Sequence, residues 1–285
     1  MVQTRVDFHN LFDCTEVYLH KLNFSDIDRV IEWIDIALLD LSAARKLYKS
    51  ENGLALYHLQ QGIEKLLKAT LMFTGFKTES NVITLNHKPQ TFLIELLNDP
   101  DITQTVYEKF PYKGVKRPVK PSAEQITAIQ ALVNLQDKIL AVDKGDEMVR
   151  GVTTFLGRAH PLFFDPQAFG ELNEDALERI IPEGELKKFK AEFKQDGMTY
   201  EDTVYNFSNY CFIVLNMSLI LLPLHIGMWG FESIPRYPDE YRRMTRKFSD
   251  YESYKSFYTI INQVETFGEC FKKYMMPNET TEAKS

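Results

Sequence analysis

The sequence predicts an all-α fold, and three observations carry that expectation. Long stretches place apolar residues at three- and four-residue steps, period-two alternation is sustained nowhere, and proline and glycine gather mainly at 111–121, 157–170 and 235–238. Helices are expected at 26–50, 54–74, 88–98, 122–142, 173–180, 184–194, 200–227 and 249–275.

The clearest element is LALYHLQQGIEKLLKATLMFTG, residues 54–75. It starts after the turn signal Asn52-Gly53 and ends on Gly75, which suits a helix C-cap. Leu56, Leu59, Ile63, Leu66, Leu67 and Leu71 form its apolar stripe, and Gln60, Gln61, Glu64, Lys65 and Lys68 form the other face. An exposed charged face accounts for that second set, although Glu64 and Lys65 could equally line an inter-helix groove. Just upstream, Ser25 is the expected N-cap of a second amphipathic helix. Asp26 and Asp28 suit its positive N-terminus, and Lys46 and Lys49 its negative end. Ile27, Val30, Ile31, Ile34, Leu38, Leu41 and Tyr48 make its stripe. The short connection makes the pair an antiparallel αα-hairpin. Further along, Pro121, Ser122 and Gln125 resemble a capping box opening the 122–142 helix.

A chain of 285 residues with 44% hydrophobic content can bury a core, as one large domain or two small ones. Its net charge of −7 excludes a wholesale nucleic-acid coat protein and leaves room for a local basic patch. Cys14, Cys211 and Cys270 are scattered, odd in number and without metal spacing, which points to a reducing cytoplasm. No two of the six histidines stand four apart on a helix, so no metal or other cofactor is expected. The stretch MVQTRVDFHNLFDC has no continuous apolar run, so no signal peptide is expected. Residues 211–231 are long enough to span a bilayer, but Asn216, Ser218, Pro223, His225 and two glycines make them a buried helix instead. No membrane partner follows.

Ala43-Ala44-Arg45-Lys46-Leu47-Tyr48, followed by Ala55-Leu56-Tyr57-His58-Leu59-Gln60-Gln61-Gly62-Ile63-Glu64-Lys65-Leu66-Leu67-Lys68-Ala69, resembles the first two helices of the HEPN superfamily (higher eukaryotes and prokaryotes nucleotide-binding). The Gln-Gln-x-x-Glu-Lys-x-x-Lys-Ala pattern is its specific part. Leu85-Asn86-His87 with Phe92-Leu93-Ile94-Glu95-Leu96-Leu97 resembles the family's short third helix, with His87 as its cap. Arg236-Tyr237-Pro238-Asp239, leading into a helical run through Tyr274, resembles the turn before the final helix. The resemblance implies a HEPN-like up-down helical bundle formed by 25–99 and 236–275. Residues 100–235 are then a helical insertion, 1–24 an N-terminal extension, and 276–285 a polar tail expected to fray. It also implies a homodimer or a partner protein, in a prokaryotic stress, toxin–antitoxin or phage-defence system.

Many members of that family are metal-independent ribonucleases that use an arginine and a histidine with four to six residues between them. A histidine can move the 2′-hydroxyl proton while an arginine holds the scissile phosphate with its fork. This chain has no such pair: after Arg236 the equivalent positions are Tyr241, Arg242 and Arg243. Arg5 and His9 lie too close to a terminus expected to be unstructured, and Arg158-Ala-His160 lies in a Gly/Pro-bounded loop where ordinary polarity accounts for it. Binding of nucleotide or RNA without catalysis is therefore the primary expectation. A divergent ribonuclease using Arg158 and His160, or Arg236 with a residue of the insertion, is the alternative. A helical protein-interaction module is the third.

The candidate binding residues are His58, Lys65, Arg236, Tyr237, Arg242, Arg243 and Arg246. Arg236, Arg242, Arg243, Arg246 and Lys247 stand beside Tyr237, Tyr241 and Phe248, and arginine with aromatics suits phosphate contact plus base stacking. A second basic run, Lys113, Lys116, Arg117 and Lys120, interleaves with Tyr112. A solvated face relieved by Asp239, Glu240 and Asp250 is the competing account of the arginine cluster.

Overall fold

The two apolar stripes meet one another in the structure, a computed structural model describing residues 24–49, 53–74, 77–85, 87, 124, 127, 130, 131, 134, 135, 137–158, 212, 213, 216–244 and 246–276. Helix α1 spans Phe24–Tyr48 and α2 spans Leu54–Phe73. Val30, Ile34 and Leu41 of α1 are fully buried, as are Leu56, Leu59, Ile63 and Leu66 of α2. Their contacts run in opposite directions: Asp40 meets His58 and Lys65, whereas Trp33, a helical turn or two earlier, meets Lys68. The antiparallel hairpin is therefore present. Gly62 lets it close tightly, since a β-carbon there would stand 2.7 Å from the Leu41 side chain.

The termini of these helices differ from expectation in detail. Ser25 falls inside α1 and not at its cap. The N-cap of α2 is Gly53, where any β-carbon would strike the Phe248 ring. Gly75 lies outside the described residues, and α2 closes on Thr74, whose hydroxyl donates to the Thr70 carbonyl at 2.8 Å. The short α3, Glu79–Thr84, was not legible in the pattern; Thr78 caps it by accepting from the Asn81 N–H. The expected helices at 88–98, 173–180 and 184–194 lie outside the described residues.

The expected 122–142 helix is helical at its described positions 124, 127, 130 and 131 but breaks before α4, Lys138–Arg158. Residues 134, 135 and 137 are non-helical, and the Asp137 carboxylate restarts the chain by accepting from the Ile139 and Leu140 N–H groups at 3.0 and 3.3 Å. Glycines at 145, 151 and 157 disguise α4 in the sequence, because glycine weakens a helix interior. Gly145 has a packing reason: a β-carbon on it would collide with the Gly227 backbone.

Residues 212, 213 and 216–232 are helical but not as one regular helix. Met217–Leu221 form a π turn in which the Leu222 N–H reaches back five residues to Met217, just before Pro223, which has no N–H to give. Helix α5 follows at Leu222–Met228, then a 3₁₀ turn at Trp229–Glu232. Among the described residues no helix is long and apolar enough to cross a membrane. Instead α5 packs on α2 and, through Gly227 with Gly145, on α4, and the 3₁₀ turn meets α4 through Gly230 with Val142.

After α6, Pro238–Arg242, and α7, Glu252–Lys255, the chain ends its described part in α8, Phe257–Met275. The expected 249–275 helix is thus interrupted at Ser256. Helix α8 lies along α1: Phe257 stacks on Tyr48 at 4.0 Å, Arg45 donates to Asn262 at 2.8 Å and pairs with Glu265, and Lys272 meets Asp35 at 2.6 Å. Helix α2 is consequently sandwiched. Helices α1 and α8 cover one side of it, residues 212–232 cover another, and α4 backs the latter. A single apolar core runs through both layers, and no strand occurs among the described residues. The fold is all-α.

Candidate functional site

Helical geometry sets Tyr57, Gln61, Glu64 and Lys68 in one row along α2, with Gln60 beside them. The second layer closes over this row. Gln60, Gln61, Glu64 and Lys68 are all buried, which corrects the reading of an exposed charged face. The Glu64 carboxylate accepts from Lys68 at 2.8 Å, from Gln60 at 3.2 Å, from His87 Nδ1 at 3.2 Å and from Gln61 at 3.4 Å. A buried carboxylate this well supplied with donors stays charged. Burial works against its charge, but the His87 hydrogen bond and the charges of His225 and Lys68 outweigh it and hold its pKa at about 2.

His225, on α5, is fully buried beside this carboxylate, with Nδ1 placed 3.4 Å from Gln60 Nε2. Burial lowers its pKa to about 4, so it is neutral at neutral pH, where His87 and Lys68 carry the support of Glu64. Its ring also hydrogen-bonds the backbone of His87 and so ties that turn to the second layer. His87 is half exposed, and the Glu64 hydrogen bond raises its pKa despite some burial. The helix it was expected to cap lies outside the described residues.

The rim of the site is built on Glu232. Its Oε1 accepts from Arg236 Nη2 at 2.6 Å, and Arg236 Nε donates to the Glu232 backbone carbonyl at 2.9 Å. Lys138 approaches Oε2 at 3.5 Å, and His87 Nε2 stands 3.9 Å from Oε1. Two aromatic faces complete the rim: Lys138 lies 3.4 Å from the centre of the Trp229 ring, and Arg236 lies 4.8 Å over Tyr57. Four basic side chains, Lys68, His87, Lys138 and Arg236, thus surround two carboxylates in a chain of net charge −7. Among the described residues no three His, Cys, Asp or Glu side chains are grouped to hold a metal ion.

The residues singled out from sequence fall into separate settings. Arg236 belongs to the rim, and Tyr237 beside it is exposed with its ring 5.3 Å from the Arg236 guanidinium. His58 and Lys65 sit a quarter-turn round α2, where both engage Asp40 of α1. Arg242 and Arg243 are exposed and meet Asp239 and Asp137 at 3.6 and 2.8 Å. Arg246 clamps the turn after α6 to α4: it reaches Asp143 and Asp146 at 3.4 and 3.3 Å and covers the Tyr251 ring. Arg158 is the exposed last residue of α4, and His160 lies outside the described residues. So does the basic run at 113–120.

Sequence reading missed Lys138, His225 and Glu232 as site residues, and took His87 for a cap. One signal was available: a polar row at 57, 61, 64 and 68 on one side of α2. The partners of that row from other elements of the second layer and the rim are 23 to 179 positions away in the chain, beyond any local pattern.

The family model of the HEPN domain matches residues 30–125, about a third of the chain. No curated protein and no solved structure matches. The match takes in Glu64, Lys68 and His87, whereas Lys138, His225, Glu232 and Arg236 come from beyond it.

Proposed function

With the HEPN domain match over residues 30–125 as premise, we propose that this protein binds a phosphate-bearing ligand, a nucleotide or single-stranded RNA, at the rim formed by His87, Lys138 and Arg236. One observation carries the reading: three basic side chains from separate parts of the chain converge on one place in an acidic protein. Arg236 supplies a fork for phosphate, and Tyr57 with Tyr237 supplies ring faces against which a base can stack. Exposed Arg242 and Arg243, paired with Asp239 and Asp137, lie outside this rim. The setting that the family resemblance implies belongs to the same proposal: a cytoplasmic homodimer or partner complex in a prokaryotic stress, toxin–antitoxin or phage-defence system.

The geometry favours binding over cleavage. His87 has a carboxylate near each ring nitrogen, Glu64 at Nδ1 and Glu232 at Nε2, and its pKa is raised. Two flanking carboxylates favour the protonated ring, the form that holds an anion, whereas taking a proton from a hydroxyl needs the neutral one. A second reading, metal-independent RNA cleavage, rests on one fact: Arg236 and His87 approach the same oxygen of Glu232. Incubating the protein with mixed RNA in EDTA, beside His87→Ala, separates the two, since only cleavage by the wild type alone supports the second.

The binding test is fluorescence anisotropy of labelled single-stranded RNA, with ATP titrated in parallel. Arg236→Ala is expected to weaken binding by about tenfold and to flatten its salt dependence, because a phosphate contact is lost. Arg242→Ala is expected to cost less than about threefold, as an exposed peripheral charge does. Unchanged affinity in Arg236→Ala would remove this site.

A further inference from the structure

We infer that Glu232 is an internal counter-anion, occupying the place a ligand's phosphate takes and turning aside when that ligand binds; this rests on the binding site proposed above. The carboxylate ends a 3₁₀ turn and is nearly buried, and three basic side chains face it. Arg236 arrives from the following turn, Lys138 from the first residue of α4, and His87 from the turn after α3. Three donors from three elements around two oxygens is a receptor for a tetrahedral anion, and a carboxylate fills only part of it. Arg236 in addition grips the backbone carbonyl of Glu232, so its guanidinium is held in place independently of the carboxylate.

The spacing supports an occupant that can leave. Only Arg236 is at close hydrogen-bond distance; Lys138 at 3.5 Å and His87 at 3.9 Å are ion-paired without short bonds. Each also has a second anchor that stays when Glu232 moves: Trp229 for Lys138, Glu64 for His87 and Tyr57 for Arg236. The cations are therefore preorganised by groups other than the carboxylate they surround. The adjacent Ser233 hydroxyl is buried without a hydrogen-bond partner among the described residues, a polar group that the closed arrangement leaves unused. Contrast Glu64, three of whose four donors, Gln60, Gln61 and Lys68, are buried with it and whose role is to hold the site together.

The occupant competes with any anionic ligand, so removing its charge strengthens binding. The protein, Glu232→Gln and the control Asp35→Asn are titrated with labelled single-stranded RNA at neutral pH and fixed salt. Asp35 of α1 pairs with Lys272 of α8, and its replacement removes the same charge outside the receptor. Glu232→Gln is expected to bind at least about tenfold more tightly, and Asp35→Asn within about twofold of wild type. If wild type binds through Arg236 but Glu232→Gln gains nothing, the counter-anion role falls and the binding site stands. Equal gains in both variants would reduce the effect to net charge and overturn it too. Absence of binding by wild type and Glu232→Gln alike would remove both readings. Should Glu232→Gln fail to fold, Glu232→Asp keeps the charge and shortens its reach; it must bind more tightly than wild type for the inference to survive.

Discussion

Two polar clusters sit on the same helix, a quarter-turn apart, and they behave differently. On one flank of α2, His58 and Lys65 share Asp40, a local ion-pair group between neighbouring helices. On the other, Gln60, Gln61, Glu64 and Lys68 face His87 and His225, and the pKa values of Glu64 and both histidines are displaced. The residue types are alike. What separates them is the second layer, residues 212–232 on α4, which covers one flank and leaves the other at the edge of the hairpin. Chemistry concentrates where a polar row is forced out of water, because there each charge must be answered by a specific partner.

The strongest way to break the comparison is to remove the central carboxylate on each flank. Glu64→Ala leaves Lys68 buried without its closest counter-charge and His87 without its hydrogen-bond acceptor, and is expected to cost about 3–5 kcal/mol in urea unfolding. Asp40→Ala leaves His58 and Lys65 able to reach water, and is expected to cost about 1–2 kcal/mol. Equal losses would mean that the second layer does not isolate its flank.

Glycine substitutions sharpen the same contrast at the two helix contacts. A methyl on Gly145 meets the Gly227 backbone, which cannot swing away, so Gly145→Ala is expected to cost about 3 kcal/mol and to weaken RNA binding by shifting Lys138. A methyl on Gly62 meets Cγ and one methyl of the fully buried Leu41 at 2.7 Å and the Ala37 carbonyl oxygen at 3.2 Å, while alanine regains helix propensity. Gly62→Ala is expected to cost about 1–2 kcal/mol, less than Gly145→Ala because its closest contact is a side chain, with RNA binding intact. Thermal unfolding of both variants reads the difference.

These contrasts also mark what was legible in the sequence. The hairpin was legible because its stripes repeat every three or four residues over some twenty positions, and Val30, Ile34, Leu59 and Ile63 are buried as that periodicity requires. The break before α4 was not, because it depends on Asp137 capping a helix whose Gly145 is explained only by a crossing helix. Glu64 and Lys68 were visible as a polar row, but their burial depends on residues 212–232, and amphipathicity does not reveal what later covers a polar face. Arg236 was found through its aromatic neighbours. Its companions Lys138 and His87 join it through Glu232, a carboxylate that no local motif distinguishes.

The most delicate test is the pH dependence of stability, where the two site histidines act with opposite sign. His225 has a folded-state pKa of about 4 against an ordinary 6.5, so the unfolded chain binds more protons between those values. Stability from this group is complete above pH 6.5 and falls by about 3 kcal/mol as pH drops to 4. Below the ordinary carboxyl value of 4.5, Glu64 adds to the loss, since it stays ionised in the folded state down to about 2. His87, with its pKa raised, contributes stability that is complete below 6.5 and is lost as pH rises through its folded-state value. The joint contribution of the three therefore peaks near pH 6.5. Urea midpoints measured across pH should show His225→Gln flattening the acid limb, and His87→Gln flattening the alkaline limb by a smaller amount because the ring is half exposed. An acid limb unchanged in His225→Gln would mean that the histidine gains its proton without leaving the core, and the neutral, buried partner assigned to Glu64 would have to be given up.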